Sequence, residues 1–118
     1  RKRSSPVSKE DAAKYPPVEH PVVRRHPKTG RKSLYVARDD CTGIVGKSEH
    51  EGLALIEALA DHIVKPEFVY QHKWRVGDVV VWDNCTVQHR AVVDYELPQR
   101  RLMWRTTVKG EVPQPALD

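Results

Sequence analysis

Three side chains near the carboxyl end of the chain have types and a spacing suited to holding a metal and a small anion. His89 follows the sequence Trp82–Asn84, and Arg101 and Arg105 come shortly after it. If these segments are strands, alternate residues share a face, so His89 lies on an otherwise apolar face. Arg101 and Arg105 then share a face about 13 Å apart at Cα. Imidazole binds divalent metals and guanidinium binds carboxylates through two hydrogen bonds, so the pattern is typical of a metal site that holds a dianion.

Each of these residues also has a structural explanation. A lone histidine on an apolar face is often a core residue that hydrogen-bonds a backbone carbonyl, and an arginine often forms only a surface ion pair. Cys85 has no base beside it in the sequence, so we expect a structural thiol and no nucleophile. Asp83 and Asn84 are typical turn residues, and the alternative is that they support the metal site without binding the metal.

The stretch from residue 82 to 107 resembles the C-terminal signature of the TauD/TfdA-like family of iron(II)- and 2-oxoglutarate-dependent dioxygenases. Residues 20–24, 26–31 and 74–78 also resemble family segments, so the resemblance covers most of the chain. It implies that His89 binds Fe(II) and that Arg101 binds the distal carboxylate of the cosubstrate 2-oxoglutarate.

The same resemblance suggests residues that contact the substrate. Arg105 matches an arginine that meets the anionic head group in taurine-type enzymes. Asp40 falls where those enzymes place an aromatic residue near the substrate, and this departure puts taurine itself in doubt. The implied reaction uses O2 to hydroxylate a small anionic organic substrate of the taurine/sulfonate or aryloxyalkanoate kind.

One family motif is absent. The family's iron site has two histidines and one carboxylate, and the first two ligands come from a His-x-Asp/Glu motif. None of the 6 histidines of this chain is followed two residues later by an acidic residue. We therefore expect the chain to be the C-terminal piece of a longer enzyme and to be inactive alone. The alternative is a non-catalytic β-barrel binding domain that has lost the metal site.

The secondary-structure elements that must position these residues are predicted from turn-forming residues, helix caps and hydrophobic periodicity. Two short strands flank the turn 26–30, and Ser48 and Glu51 form a capping box ahead of an amphipathic helix at 49–63. Further strands are expected at 68–74 and 79–82 and around the site residues. The fold class is mainly β with one helix, and the resemblance implies the C-terminal portion of a double-stranded β-helix, or jelly roll.

Composition limits the domain organisation and the partners. We expect an irregular lead-in at 1–19, the dioxygenase portion at 20–110 and a loose tail at 111–118. The net charge of +4 is scattered, so no nucleic-acid partner is expected, and no apolar run approaches a membrane span. Two unpatterned cysteines favour a reduced, cytoplasmic setting, and homo-oligomerisation is left open.

Overall fold

A hairpin begins the described part of the chain. The computed structural model describes residues 16–92, 96, 98 and 102–117. Strand β1 (Val23–Arg25) pairs antiparallel with β2 (Lys32–Leu34), with Val23 opposite Leu34. In the connecting turn Gly30 has a φ of 71°, a left-handed conformation that glycine adopts without steric cost. The predicted hairpin is confirmed.

Helix α1 (Glu49–Ile63) begins at the predicted capping box. The Ser48 hydroxyl accepts the Glu51 N–H at 3.3 Å, and the Glu51 carboxylate accepts the Ser48 N–H at 3.1 Å. Each contact satisfies a backbone N–H that the helix itself cannot pair. Residues at a spacing of four are buried along one face of α1: Gly52, Ile56 and Ala60. A short 3-10 turn (Pro66–Phe68) follows the helix.

The loop after β2 contacts the helix at two points. The Arg38 guanidinium pairs with Glu57 at 3.0 Å and also with Asp61. The Asp61 hydrogen bond is the main cause that raises the pKa of Arg38. Where Gly52 faces Ile44, a Cβ built on the glycine would lie 3.0 Å from the Ile44 backbone nitrogen. The absence of a side chain at Gly52 therefore allows this close approach.

The end of the chain returns to the sheet. Strand β3 (Gln114–Pro115) pairs antiparallel with β1, which gives the strand order β2-β1-β3. The Ala116 N–H also donates to the Val23 carbonyl at 3.0 Å. The sequence predicts a loose tail at 111–118, whereas residues 114–116 are hydrogen-bonded to β1. Proline is compatible with this edge position because an edge strand leaves some N–H positions unused.

The later segments that the sequence predicts as strands form no strand ladder within the described residues. Residues 69–92 and 102–113 carry no strand assignment, although a buried strand was expected at 79–82. Val79 and Val81 are 87% and 90% exposed, so that expectation of burial was wrong. A strand needs a neighbouring strand for its backbone hydrogen bonds, and these segments find none in the described part of the chain.

Few apolar side chains are buried among the residues that the structure describes. Val36 and Ile56 are each 2% exposed and Ala60 is 7% exposed. The chain exposes 11457 Å², whereas a folded monomer of 13.5 kDa exposes about 6500 Å². Apolar side chains lie exposed in the described part of the chain, among them Val76, Val79 and Val81. None of the described helices has the length and apolar character needed to cross a membrane.

Candidate functional site

A tight turn precedes His89. The Asp83 carboxylate accepts the Cys85 N–H at 2.8 Å, which is an Asx turn. The Asp83 carbonyl accepts the N–H groups of Thr86 and Val87, each at 3.1 Å. The interpretation of Asp83 as a turn residue is confirmed.

Three side-chain hydrogen bonds join this turn and the residues after it to the hairpin. His26 Nε2 lies 2.8 Å from Asp83 Oδ2. The Ser33 hydroxyl donates to the Cys85 carbonyl at 3.2 Å. Beyond the turn, the Gln88 amide donates to the Val36 carbonyl at 2.6 Å. The segment that carries His89 is thus held at three successive places, two on the hairpin and one on Val36 just after it.

The tautomer of His26 follows from its contacts. Its Nδ1 lies 3.1 Å from the N–H nitrogen of Lys28 and 3.0 Å from that of Thr29, so Nδ1 is the acceptor. Nε2 therefore carries the proton and donates it to Asp83. The Cys85 N–H and then His26 hold the pKa of Asp83 below its ordinary value, because both hydrogen bonds favour the charged carboxylate.

His26, Asp83 and Cys85 also bring three possible metal-ligand atoms within 4.8 Å of one another. The hydrogen bonds do not suit a metal. A metal-bound histidine usually donates its second N–H to an acceptor, whereas the second nitrogen of His26 faces two backbone donors. Burial, and then Asp83, raise the pKa of the Cys85 thiol, which keeps it protonated. The cluster is a structural contact between the hairpin and the turn.

Arg24 is a buried cation beside this contact. Its side chain belongs to a residue only 6% exposed, and its guanidinium carbon lies 5.1 Å from the centre of the Tyr35 ring. Arg24 Nε has no hydrogen-bond partner among the described residues. A buried polar atom without a partner is costly, so the Nε position suits a further hydrogen-bond acceptor. From the sequence alone, Arg24 lies in a short strand and in a segment that resembles the family, and no role is predicted for it.

His89 itself is exposed and lies against Trp82. The two ring centroids are 4.7 Å apart, with the planes tilted by 45°. The Trp82 indole N–H donates to Asn84 at 2.8 Å, which fixes the indole relative to the turn. Within residues 16–92 and 102–117, no hydrogen bond engages the His89 ring nitrogens. A single imidazole fits one ligand of a two-histidine, one-carboxylate metal site, and the part of the chain that the structure describes places no second ligand beside it.

The other predicted site residues are not brought together in the described structure. Asp40 is exposed in a turn, where its N–H donates to the Ala37 carbonyl at 3.2 Å. Arg105 is exposed in a segment without assigned secondary structure. No hydrogen bond or ion pair of the described residues joins His89, Asp40 and Arg105. Arg101 lies outside the described residues, so its placement relative to Arg105 stays a prediction.

Comparison with known proteins gives a consistent family. Residues 1–107 match the family described as taurine catabolism dioxygenase TauD, TfdA family. The chain is 41% identical over 95 residues to the alpha-ketoglutarate-dependent 2,4-dichlorophenoxyacetate dioxygenase of Burkholderia sp. (strain RASC), covering 80% of this chain and 31% of the relative. It is 43% identical over 95 residues to the alkylsulfatase of Acinetobacter baylyi, covering 80% of this chain and 29% of the relative.

Solved structures agree with these matches. The structure of AAD-2 in complex with Mn(II) and N-oxalylglycine aligns with a TM-score of 0.56 and 37% identity, over 62% of this chain and 29% of that one. A putative alpha-ketoglutarate-dependent 2,4-D dioxygenase from Burkholderia xenovorans aligns with a TM-score of 0.55 and 42% identity, over 58% of this chain and 26% of that one. The chain thus spans less than a third of the length of these relatives.

Proposed function

This chain belongs to the taurine catabolism dioxygenase TauD, TfdA family, and we propose that it forms the C-terminal part of an Fe(II)- and 2-oxoglutarate-dependent dioxygenase. The observation that carries the proposal is the family match over residues 1–107, which includes His89, Arg101 and Arg105. Relatives with identities of 41% and 43% point to the same kind of enzyme.

The proposed roles follow from the chemistry of each side chain. His89 supplies one imidazole ligand to the iron, and the remaining ligands come from sequence that precedes residue 1. The bound Fe(II) supplies the activation of O2 that couples decarboxylation of 2-oxoglutarate to oxidation of the substrate. Arg101 holds the distal carboxylate of 2-oxoglutarate through a bidentate contact, which Lys cannot reproduce. Arg105 binds the anionic group of the substrate.

The proposed substrate is a small organic anion. The relatives named above include enzymes for 2,4-dichlorophenoxyacetate and for alkyl sulfates. An aryloxyalkanoate, a sulfate ester or a sulfonate therefore suits the site, with Asp40 on the side of the substrate. Since Asp40 is a carboxylate, it favours the less charged end of such a molecule.

The proposed architecture is the C-terminal portion of a jelly roll. Support comes from the solved relatives at TM-scores of 0.56 and 0.55. Support also comes from residues 69–92 and 102–113, whose exposed valines suit a surface that other strands of the same barrel would cover. The buried Arg24 suits an acceptor from that same missing portion.

The test uses the complete polypeptide, meaning this chain together with the residues that precede Arg1 in its reading frame. We expect Fe(II)-dependent succinate formation from 2-oxoglutarate in the presence of 2,4-dichlorophenoxyacetate or an alkyl sulfate. His89→Ala should abolish it, and the matched variant His72→Ala should retain it. The 118-residue chain alone should be inert, because one histidine cannot complete the metal site. Full activity of His89→Ala, or of the isolated chain, would contradict the proposal.

A further inference from the structure

We propose that His26 and Asp83 are positioning residues for the metal ligand His89. Their hydrogen bond joins the hairpin turn to the turn from which the His89 segment departs, and so sets where that imidazole stands. This inference rests on the proposed function, because it concerns the ligand that the dioxygenase would use. It assigns a task to two residues that are 57 positions apart in the sequence.

The His26 end of the contact is held rigidly. Its Nδ1 accepts two backbone N–H groups of its own turn, at 3.1 Å from Lys28 N and 3.0 Å from Thr29 N. The backbone of His26 closes the same turn, with its N–H donating to the Arg31 carbonyl at 2.9 Å. With Nδ1 engaged, Nε2–H points in one direction only, toward Asp83 at 2.8 Å. The imidazole is therefore a fixed support rather than a mobile surface group.

The Asp83 end accepts hydrogen bonds through both carboxylate oxygens and through its carbonyl. Oδ2 accepts the His26 Nε2–H, Oδ1 accepts the Cys85 N–H at 2.8 Å, and the carbonyl accepts the N–H groups of Thr86 and Val87. A carboxylate held in this way fixes the backbone over the four residues that lead toward His89. Because Asp83 is bonded both to the hairpin and to the backbone that follows it, the hairpin determines where the following segment lies.

Trp82 connects this turn to the His89 ring. Its indole N–H is bonded to Asn84 at 2.8 Å, and its ring lies 4.7 Å from the ring of His89. Because Trp82 immediately precedes Asp83, a displaced turn would move the indole and the imidazole that rests against it. The contact from His26 to Asp83 therefore reaches His89 through the backbone and through the Trp82 ring.

The exposure of the pair favours a positioning role over a stabilising one. The His26 side chain is 12% exposed and that of Asp83 is 50% exposed. Because the Asp83 carboxylate is half exposed, solvent screens the contact and its contribution to the free energy of unfolding is small. Its direction is nevertheless fixed at both ends. Partners that orient a metal ligand commonly change metal affinity about 10- to 100-fold when they are removed.

Two variants break the contact and preserve each local turn. In His26→Asn the amide oxygen still accepts the N–H groups of Lys28 and Thr29, as in an Asx turn, but it cannot reach Asp83. In Asp83→Asn the amide oxygen still accepts the Cys85 N–H, while its NH2 faces the His26 N–H, so two donors meet. Each variant therefore tests the contact rather than the turn.

The chain offers a matched control. His72 Nε2 lies 3.1 Å from Asp78 Oδ2, in a second exposed histidine–aspartate pair. The Asp78 carboxylate also accepts a backbone N–H of its own turn, from Arg75 at 2.9 Å. This pair has the same chemistry and makes its contacts away from the His89 segment. His72→Asn therefore reports what the loss of an exposed pair does by itself.

The experiment measures Mn(II) affinity of the complete polypeptide without turnover, by electron paramagnetic resonance, together with Tm. We expect His26→Asn and Asp83→Asn each to raise the Kd for Mn(II) about 10-fold. The double variant should be no worse than either single one, because one contact is lost in all three. His72→Asn should change the Kd for Mn(II) less than about twofold. Its Tm should shift by about as much as the Tm of His26→Asn and Asp83→Asn, because each variant loses one exposed pair.

The outcomes separate the two proposals. If the wild type binds Mn(II) and His89→Ala does not, the proposed function stands. Unchanged Kd values for His26→Asn and Asp83→Asn would then overturn the positioning role alone, as would an equal rise of Kd in His72→Asn. If His89→Ala binds Mn(II) as tightly as wild type, the proposed function fails and this inference fails with it. Should one of the two variants not fold, the other decides.

Discussion

Gln88 and Val36 are joined by a hydrogen bond from the Gln88 side-chain amide to the Val36 carbonyl oxygen, at 2.6 Å. Val36 follows strand β2 and is 2% exposed, whereas Gln88 directly precedes His89. The contact ties the proposed metal-ligand segment to the buried residue Val36, just after the hairpin. It is independent of the contact between His26 and Asp83, because it uses the Val36 carbonyl as acceptor and lies beyond the turn.

Gln88→Met should lower the free energy of unfolding by about 1–3 kcal/mol, because methionine keeps the length of the side chain but leaves a buried carbonyl without its donor. The measurement is chemical denaturation of the complete polypeptide. Gln71→Met is the matched control, since Gln71 is exposed and makes no hydrogen bond within the described residues. Equal stability of the two variants would show that the 2.6 Å contact contributes nothing.

Gly52→Ala should destabilise the protein although alanine is the better helix former. The added Cβ would lie 3.0 Å from the Ile44 backbone nitrogen, and backbone yields less readily than a flexible side chain. The crowding costs about 1–3 kcal/mol, against a gain in helix propensity of about 1 kcal/mol. We expect a net loss of about 1 kcal/mol in thermal unfolding.

Gly43→Ala is the control for this substitution, because a Cβ at Gly43 meets no atom within 4 Å. It should leave Tm unchanged or raise it slightly, since alanine restricts the unfolded chain. A stabilising effect of Gly52→Ala would show that the loop containing Ile44 moves aside freely.

The capping box should make the stability of helix α1 depend on pH. The Ser48 hydroxyl donates to the Glu51 carboxylate at 2.7 Å and lowers its pKa, as does the Ser48 N–H. A carboxylate whose pKa is lower in the folded state stabilises that state above its unfolded pKa, which is about 4.3. This contribution is lost as the pH falls through the folded pKa.

Glu51→Gln should therefore flatten the dependence of helix stability on pH below about 4.3, while Glu49→Gln serves as a control in the same turn. Ser48→Ala should cost about 1 kcal/mol at neutral pH, because the Glu51 N–H loses its acceptor. Hydrogen exchange of the α1 amides reports both effects locally. An unchanged pH profile in Glu51→Gln would mean that the carboxylate does not act through the cap.

The sequence predicts local elements better than contacts between distant segments. The capping box and the hairpin turn were predictable because their determining residues, Ser48 with Glu51 and His26 with Gly30, lie within four positions of each other. The contact between His26 and Asp83 spans 57 positions, and no periodic pattern marks it. Strand β3 was missed because Pro115 is typical of a loose tail. Proline has no N–H for a strand ladder, but β3 lies at the edge of the sheet, where that N–H is not needed.

The strands expected around the site illustrate a different limit. The β-branched run at 79–82 is typical of a buried strand, yet Val79 and Val81 are 87% and 90% exposed. Propensity describes a preference for a sheet environment, and a sheet requires a neighbouring strand to provide it. For the candidate site, residue types pointed to His89 and left Asp83 open as a support of the metal site, whereas the contact partner of Asp83 and the burial of Arg24 became visible only in the structure.

Arg101→Lys in the complete polypeptide should weaken 2-oxoglutarate binding more than substrate binding. Lysine keeps the positive charge but loses the second hydrogen bond of the planar guanidinium. Loss of one charge-assisted hydrogen bond costs about 1.5–3 kcal/mol, or roughly ten- to a hundredfold in Kd. Arg105→Lys is the matched variant four positions later, and it should weaken substrate binding more than 2-oxoglutarate binding. Anaerobic titration with 2-oxoglutarate in the presence of Fe(II) distinguishes them, followed by titration with the substrate. If Arg105→Lys alone reduces 2-oxoglutarate affinity, the two roles are exchanged, and the assignment of Arg101 to the cosubstrate is the step that fails.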